Sequence, residues 1–432
     1  MTTLLSAGTA LITDSAPDDG LLDRPDLVCY WSDETETVMG FGAAAIIAVP
    51  TGIGRLARLD DIVATTLASI TVDDRRRRVT SRVLPRALGA IPFDRHTPGT
   101  MVIPEVTVGT TRNGDTWRCE IVFDSSAQDR SASLEGSELW WSTDDRVAVD
   151  QTAWESMVSA AQERLHATPL EKVVLARTSS QVMAAPPTRS AVIRALIDGN
   201  PGAYVFCAGN FVGATPELLV ERTGRLARCR PMAGTSWPVP DADRPATSDE
   251  STESDARQAH DSAPLENGKM TPKDRHEHTV MVGPLLDRLR GVAVRVDATD
   301  PVEVDAGPLR HLATTVVAEL PHDDPPRALG LVAALHPTGA VAGHPRDLAL
   351  AAIAELEPDG RGPYAGPVGW MDSSGDGRFA VAVRSALLGS DRVVCFAGAG
   401  IVDESDPTRE WVETEQKLQI MRTALDTSAG DT

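Results

Sequence analysis

The chain has 432 residues, 42% hydrophobic and 24% charged, enough for one large domain or two to three ordinary ones. Its formal charge of −21 argues against a nucleic-acid partner, because phosphate backbones are bound by lysine and arginine that release counterions. No run approaches eighteen apolar residues, so no membrane span is expected, and five scattered cysteines show neither a zinc spacing nor a disulfide framework, as suits a reducing cytoplasm.

The N-terminal stretch MTTLLSAGTALITDSAPDDG lacks a basic n-region and does not read as a signal peptide. Residues 1–150 read as mixed strands and loops, with strands expected at LVCYWS (27–32), TVMGFGAAAIIAV (37–49) and TWRCEIVF (116–123). Gly40, Gly42 and Ala45 make a GxGxxA, but Pro50, Gly52 and Gly54 follow within ten residues; no crossover helix is expected there, and a dinucleotide loop is set aside. The basic run Arg75–Arg78 reads as a solvated face balanced by neighbouring acids.

Helical periodicity covers 151–167, with Trp154, Met157, Ala160 and Ala161 on one stripe. The strand KVVLARTSSQV (172–182) follows. Of 41 basic residues only four are lysines, Lys172, Lys269, Lys273 and Lys417, and one of them opens this apolar strand. Arginine keeps its proton in proteins, whereas a buried lysine can lose it, so Lys172 is a candidate base. A helix is expected at 189–199, then two strands about a Gly-Asn turn in AYVFCAGNFVGATPELLVER (203–222), continued by RLARCRPMAGT. Near the C-terminus, RFAVAVRSALL and RVVCFAGAGIV read as a hairpin about Gly389-Ser390-Asp391. Helices are expected at DRHEHTVMV, PLRHLATTVVAEL (308–320), PRDLALAAIAELE and EWVETEQKLQIMRTAL. Interleaved hairpins and helices indicate an α+β layered fold, not a parallel βαβ sheet. Residues 236–272, rich in Asp, Ser, Pro and Glu, read as a mobile loop.

Asp274 and Glu277 share a helix face, as do Glu410, Glu413 and Lys417. Two such carboxylate pairs across a cleft would suit Mg²⁺; the alternative is exposed helix charge. HEH at 276–278 is no zinc motif, since i and i+2 diverge on a helix; His276 and His278 read as surface residues or as supports behind the site. The glycine-rich AGAGIV offers backbone N–H groups to an anion or is a tightly packed strand end. Arg384, in an apolar strand, requires a carboxylate partner from the protein or from a ligand.

With these pieces in place the chain resembles the chorismate-utilising enzymes: isochorismate synthase, salicylate synthase, and component I of anthranilate and aminodeoxychorismate synthases. The blocks are KVVLAR, GATPELL, PMAGT, KDRHEH, LRHLAT, LHPTGAVAG, YAGPVGW, AVRSA, AGAGIVDESDP and EWVETEQK, in the family's order over about residues 170–420. The resemblance implies one α+β fold of two packed antiparallel sheets flanked by helices, with the active site between them. Residues 1–150 form its N-terminal part and 151–425 the catalytic region. It implies Lys172 as the base activating water, Glu217 as the acid, and Glu277 and Glu413, with Asp274 and Glu410, as the Mg²⁺ carboxylates. Tyr364 and Arg384 match positions holding the enolpyruvyl carboxylate. By the same resemblance Gly234, Thr235, Gly398, Gly400 and Lys417 would line the ring-carboxylate end, and His311 matches a histidine beside the ring.

A lysine base must be neutral near pH 7, which needs desolvation or a neighbouring cation, and an acid such as Glu217 needs its pKa raised. Ala340 stands where isochorismate synthases carry alanine and lyase-competent or ammonia-using relatives carry a hydroxyl residue. The expected activity is therefore Mg²⁺-dependent isochorismate synthesis from chorismate for menaquinone or siderophore production, in the cytoplasm, by a monomer without a glutaminase partner. The alternatives are a salicylate synthase, an ammonia-using relative, or a catalytically silent chorismate-binding partner subunit. Two departures stand out: SWPV follows PMAGT where many relatives have an arginine, and the 236–272 loop is longer than usual.

Overall fold

Apolar strands buried on both faces organise this chain. In the computed structural model, which describes residues 8–15, 20–76, 83–123, 141–144, 146–183, 187–236, 272–306, 309–357 and 359–430, they assemble into sheets of twelve, nine and three strands. The helices are α1 (Arg55–Ala68), α2 (Gln151–Ala167), α3 (Arg189–Gly199), α4 (Pro272–Arg290), α5 (Ala328–Leu335), α6 (Arg346–Leu356) and α7 (Pro407–Gly430). Among the described residues, the only parallel pairing joins Gly8–Asp14 to Ile70–Asp74. The α+β class and antiparallel sheets expected from the sequence are therefore present.

The twelve-stranded sheet begins with Gly343–His344, Lys172–Val182, Arg392–Ile401, Ser385–Leu388, Phe211–Thr215 and Tyr204–Ala208, and continues into six strands from residues 8–123. Along Arg392–Ile401 successive side chains alternate between two cores, as the period of two requires. Val394 and Phe396 join a large cluster shared with the nine-stranded sheet. Val393, Cys395 and Ala397 join a second cluster, capped by Val192 and Leu196 of α3 and by Leu418, Met421 and Leu425 of α7. The 3- and 4-residue spacing of that last trio is the buried stripe of an amphipathic helix. Asp150 and Thr188 cap α2 and α3 by accepting the N–H groups of Ala153 and Ala191. No helix of the described residues is long and apolar enough to cross a membrane.

Several expected elements differ. Of the helix expected at 308–320, the described residues 309–320 form none; Leu309–Ala313 and Val316–Glu319 are strands. The alternation of buried Val316 and Ala318 with exposed Val317 and Glu319 has the sheet period, and β-branched Thr314, Thr315, Val316 and Val317 favour it. The single strand expected at 37–49 breaks at Gly42 (φ +61°) and changes sheet, from Glu36–Phe41 to Ala45–Ala48. A helix does form after the GxGxxA: α1 starts at Arg55, directly behind left-handed Gly54. Strands with antiparallel partners on either side of Gly42 still rule out a dinucleotide loop. Arg75 and Arg76 pair with Asp73 and Asp74, the balancing acids expected, but only Arg75 is solvated, the Arg76 side chain being covered; Arg77 and Arg78 lie outside the described residues.

Candidate active site

Lys172 opens its strand with a buried side chain, 7% exposed, and pairs with His344. The neighbouring chain comes so close that a Cβ on Gly343 (φ +125°) would lie 2.1 Å from the Lys172 carbonyl oxygen, so only glycine fits. Val174 donates its N–H to Ala342 O at 2.9 Å, which draws the half-buried Ala340 turn alongside the Lys172 strand.

On the other side of that strand, Ala176 stands opposite Gly398 and Val174 opposite Gly400. Lys417 of α7 donates to Gly398 O (2.9 Å) and to Glu413 Oε1 (2.6 Å), and Glu410 accepts the Ser405 hydroxyl (2.8 Å). These acids and Lys417 share one face of α7, as their spacing predicts. Tyr364, buried, stacks on Phe396 at 5.3 Å and sets its hydroxyl beside the Gly398 Cα; burial raises the phenol's pKa.

Glu217 lies where the chain leaves Phe211–Thr215 of the large sheet for Leu218–Thr223 of the nine-stranded one. Arg384 lies on the adjacent segment, which crosses back from Gly377–Val381 to Ser385–Leu388. The segments are bonded through Val381 N to Glu217 O (3.1 Å) and Ala214 N to Arg384 O (3.1 Å). Burial pushes the Glu217 carboxyl up to about 8, and its Oε1 has no partner among the described residues. Burial also brings the Arg384 guanidinium down to about 10. Arg384 Nη2 meets His311 Nε2 at 2.7 Å. Arginine can only donate, so Nε2 accepts, and the neutral ring carries its proton on Nδ1.

Thr235 pairs in register with His311, placing the Gly234–Thr235 backbone alongside the His311 strand. The Thr235 side chain, and those of Asp274 and Glu277 on α4, fall outside the described residues, as do residues 237–271 of the expected loop. For the metal, Glu410 and Glu413 supply hard oxygen donors, which suits Mg²⁺ with its one or two protein carboxylates. Among the described residues, no three or more His, Cys, Asp or Glu side chains converge on a metal position. A cavity of about 460 Å³ lined by Asp33, Glu36, Thr111 and Asn200 shares no lining residue with this cluster.

The residues singled out in the sequence, where described, thus lie on bonded or neighbouring segments. Sequence reasoning missed the surroundings. Of the two readings given to His278, the surface one fails: it is buried, with Nε2 2.7 Å from Thr314 Oγ1, tying α4 to the His311 strand. The expected strand 378–388 is broken, and Arg384 sits at φ +51°. The Glu357–Arg361 pair behind Lys172 also went unread, although its i, i+4 spacing is visible in EPDGR.

Residues 23–426 match the family described as chorismate binding enzyme. Isochorismate synthase EntC of Escherichia coli strain K12 is 33% identical over 365 residues, covering 82% of this chain and 84% of its own. Isochorismate synthase DhbC of Bacillus subtilis is 28% identical over 96% of this chain and 98% of its own. The solved structure of MenF, the menaquinone-specific isochorismate synthase from Escherichia coli, superposes with a TM-score of 0.75 at 23% identity, covering 98% of this chain and 96% of that one.

Proposed function

The chain belongs to the chorismate-binding enzymes, and on that premise we propose that it is an isochorismate synthase, adding water at C2 of chorismate and expelling the C4 hydroxyl. The observation that carries the chemistry is Glu217, a buried carboxyl whose pKa of about 8 keeps it protonated at neutral pH, as a general acid must be. Lys172 takes a proton from the attacking water. Glu217 gives its proton to the C4 hydroxyl, which departs as water, so one water enters and one leaves.

Arg384 and Tyr364 hold the enolpyruvyl carboxylate, the arginine oriented by neutral His311. The Gly398 and Gly400 amides, the Gly234–Thr235 turn and Lys417 receive the ring carboxylate. Glu413 and Glu410, with Glu277 and Asp274 from α4, would hold Mg²⁺. When bound, that ion withdraws electrons through the ring carboxylate and favours attack on the conjugated ring. Ala340 presents a methyl group that cannot hydrogen-bond, so it neither assists pyruvate elimination nor holds a second water. Water as nucleophile needs no glutaminase, and a monomer suffices. Five buried free thiols suit a reducing cytoplasm, where the product would feed menaquinone or siderophore synthesis.

The test is purified protein with chorismate and Mg²⁺, products resolved by chromatography. Isochorismate as main product is expected. Salicylate with pyruvate would overturn the Ala340 argument, an amino product with added ammonium would point to the ammonia-using relatives, and no turnover would leave a binding subunit. Ala340→Thr should release more pyruvate per chorismate consumed.

A further inference from the structure

The Lys172 strand has a neighbour on one side from Val173 to Val182, Arg392–Ile401, but on the other side Gly343–His344 covers only Lys172 and Val173. Ala342 O takes the Val174 N–H, but beyond it the Val174 carbonyl and the Ala176 N–H would be left in a buried interior, where an unmade hydrogen bond costs about 1 to 3 kcal/mol. Two side chains from the loop behind α6 fill the gap. Ala176 N donates to Glu357 Oε1 (2.8 Å), and Val174 O accepts from Arg361 Nη2 (2.6 Å).

Arg361 is 1% exposed and reaches three candidate site segments at once. Its Nε and Nη2 bind Glu357 bidentately at 2.8 and 2.6 Å. Its Nη1 donates to Val341 O (2.6 Å), next to Ala340, and its own carbonyl accepts from Tyr364 N (3.2 Å). The guanidinium lies 4.3 Å from the Phe93 ring centroid, and Asp94 Oδ2 receives the Arg361 N–H. One ion pair thus fixes the strand carrying Lys172, the turn carrying Ala340 and the turn carrying Tyr364 relative to each other.

We infer that Glu357 and Arg361 are positioning residues for the reaction, setting the height of the Lys172 amine against Ala340 and Tyr364. This rests on the reading of Lys172 as the base. A merely structural ion pair is replaceable by apolar residues of similar volume at little cost. This one is different because its fork meets main-chain groups of the site, and displacement of a base by about 1 Å can cost a hundredfold in rate. Lysine at 361 keeps the charge and loses the fork.

The experiment compares wild type with Arg361→Lys, and with the apolar double variant Glu357→Leu/Arg361→Met should the first not fold. Folding is checked by near-ultraviolet circular dichroism. The expected result is a kcat about a hundredfold lower, with chorismate KM within about threefold. A second readout is independent of turnover. The native chain holds only four lysines, so competitive acylation with acetic anhydride and mass spectrometry reports Lys172 directly. Its labelling rate relative to Lys417 should shift about tenfold in the variant. A folded variant with wild-type kcat overturns the inference, as does a slow variant whose Lys172 labels as in wild type. Absence of turnover in wild type itself would refute the assigned reaction, while a labelling shift would still support the positioning.

Discussion

Glu217→Gln tests the chemistry most sharply, because one substitution makes separate predictions for rate and for stability. The carboxyl sits at about 8 when folded against an ordinary 4.5, and desolvation is the cause. A raised carboxyl pKa means that the unfolded chain gives up its proton first, so stability falls as pH climbs from 4.5 toward 8. At about 1.4 kcal/mol per pH unit the cost is about 1 kcal/mol at pH 5.5 and between about 4 and 5 kcal/mol at pH 8.5. Glutamine cannot ionise and escapes this dependence. Relative to the variant, wild type should therefore lose about 3 kcal/mol over that range. With about 2.1 cal/mol/K of unfolding entropy per residue, that is a melting-temperature difference of about 3 °C, read by calorimetry at fixed scan rate. In the rate assay, wild-type kcat/KM should decline above pH 8 as the acid ionises. The variant should be slower by about 10² to 10⁴ and lack that limb. A variant within threefold of wild type, or a stability gap independent of pH, would refute the protonated-acid argument.

Lys172→Ala should lower kcat by about 10² to 10⁴ while chorismate still binds by titration calorimetry; a silent binding subunit would lose nothing measurable. Chelation should abolish turnover, and Mg²⁺ should restore it. Glu413→Gln removes a ligand charge and the partner of Lys417, so the Mg²⁺ concentration for half activation should rise at least about tenfold. Arg177 joins the Lys172 strand to α7 through Thr414 (2.7 Å), Glu415 (2.5 Å) and the Trp411 ring (3.7 Å). Glu415 keeps Arg422 as a partner, so Arg177→Met should cost only about 2 to 3 kcal/mol, a melting shift of about 2 to 3 °C.

Much of the architecture was legible where one local signal dominated. The helix at 151–167 and the strand at 172–182 occupy the expected residues, because a 3.6-residue stripe and an unbroken apolar run are unambiguous at those lengths. Lys172 drew attention by its rarity among arginines, and Glu413 with Lys417 by helical spacing. Residues 308–320 failed because Leu, Ala and Glu favour a helix while Thr and Val favour a strand. What decided it was pairing with Met232–Ser236 and Leu226–Arg230, over 70 residues upstream. His278 stayed open between a surface and a supporting place, because direction on a helix excludes a zinc motif but carries no information on burial.

The two crossing segments show why the centre of the site was the least legible part. FVGATPELL and RFAVAVRSALL each read as apolar and strand-like, with no turn signal strong enough to divide the second. Each divides because its halves are claimed by different sheets, and the break is shared between the segments through the Val381–Glu217 and Ala214–Arg384 bonds. A regular strand inside a sandwich offers a polar side chain no partner, and the ladder consumes its backbone groups. At a crossover the ladder is interrupted, so a carboxyl and a guanidinium can be buried there and aimed between the layers. The positive φ of Arg384 follows from the same necessity, since the chain must turn sharply while its carbonyl still meets Ala214. The acid and the cation were therefore visible as residue types, whereas their geometry depends on strand pairings between segments about 170 residues apart.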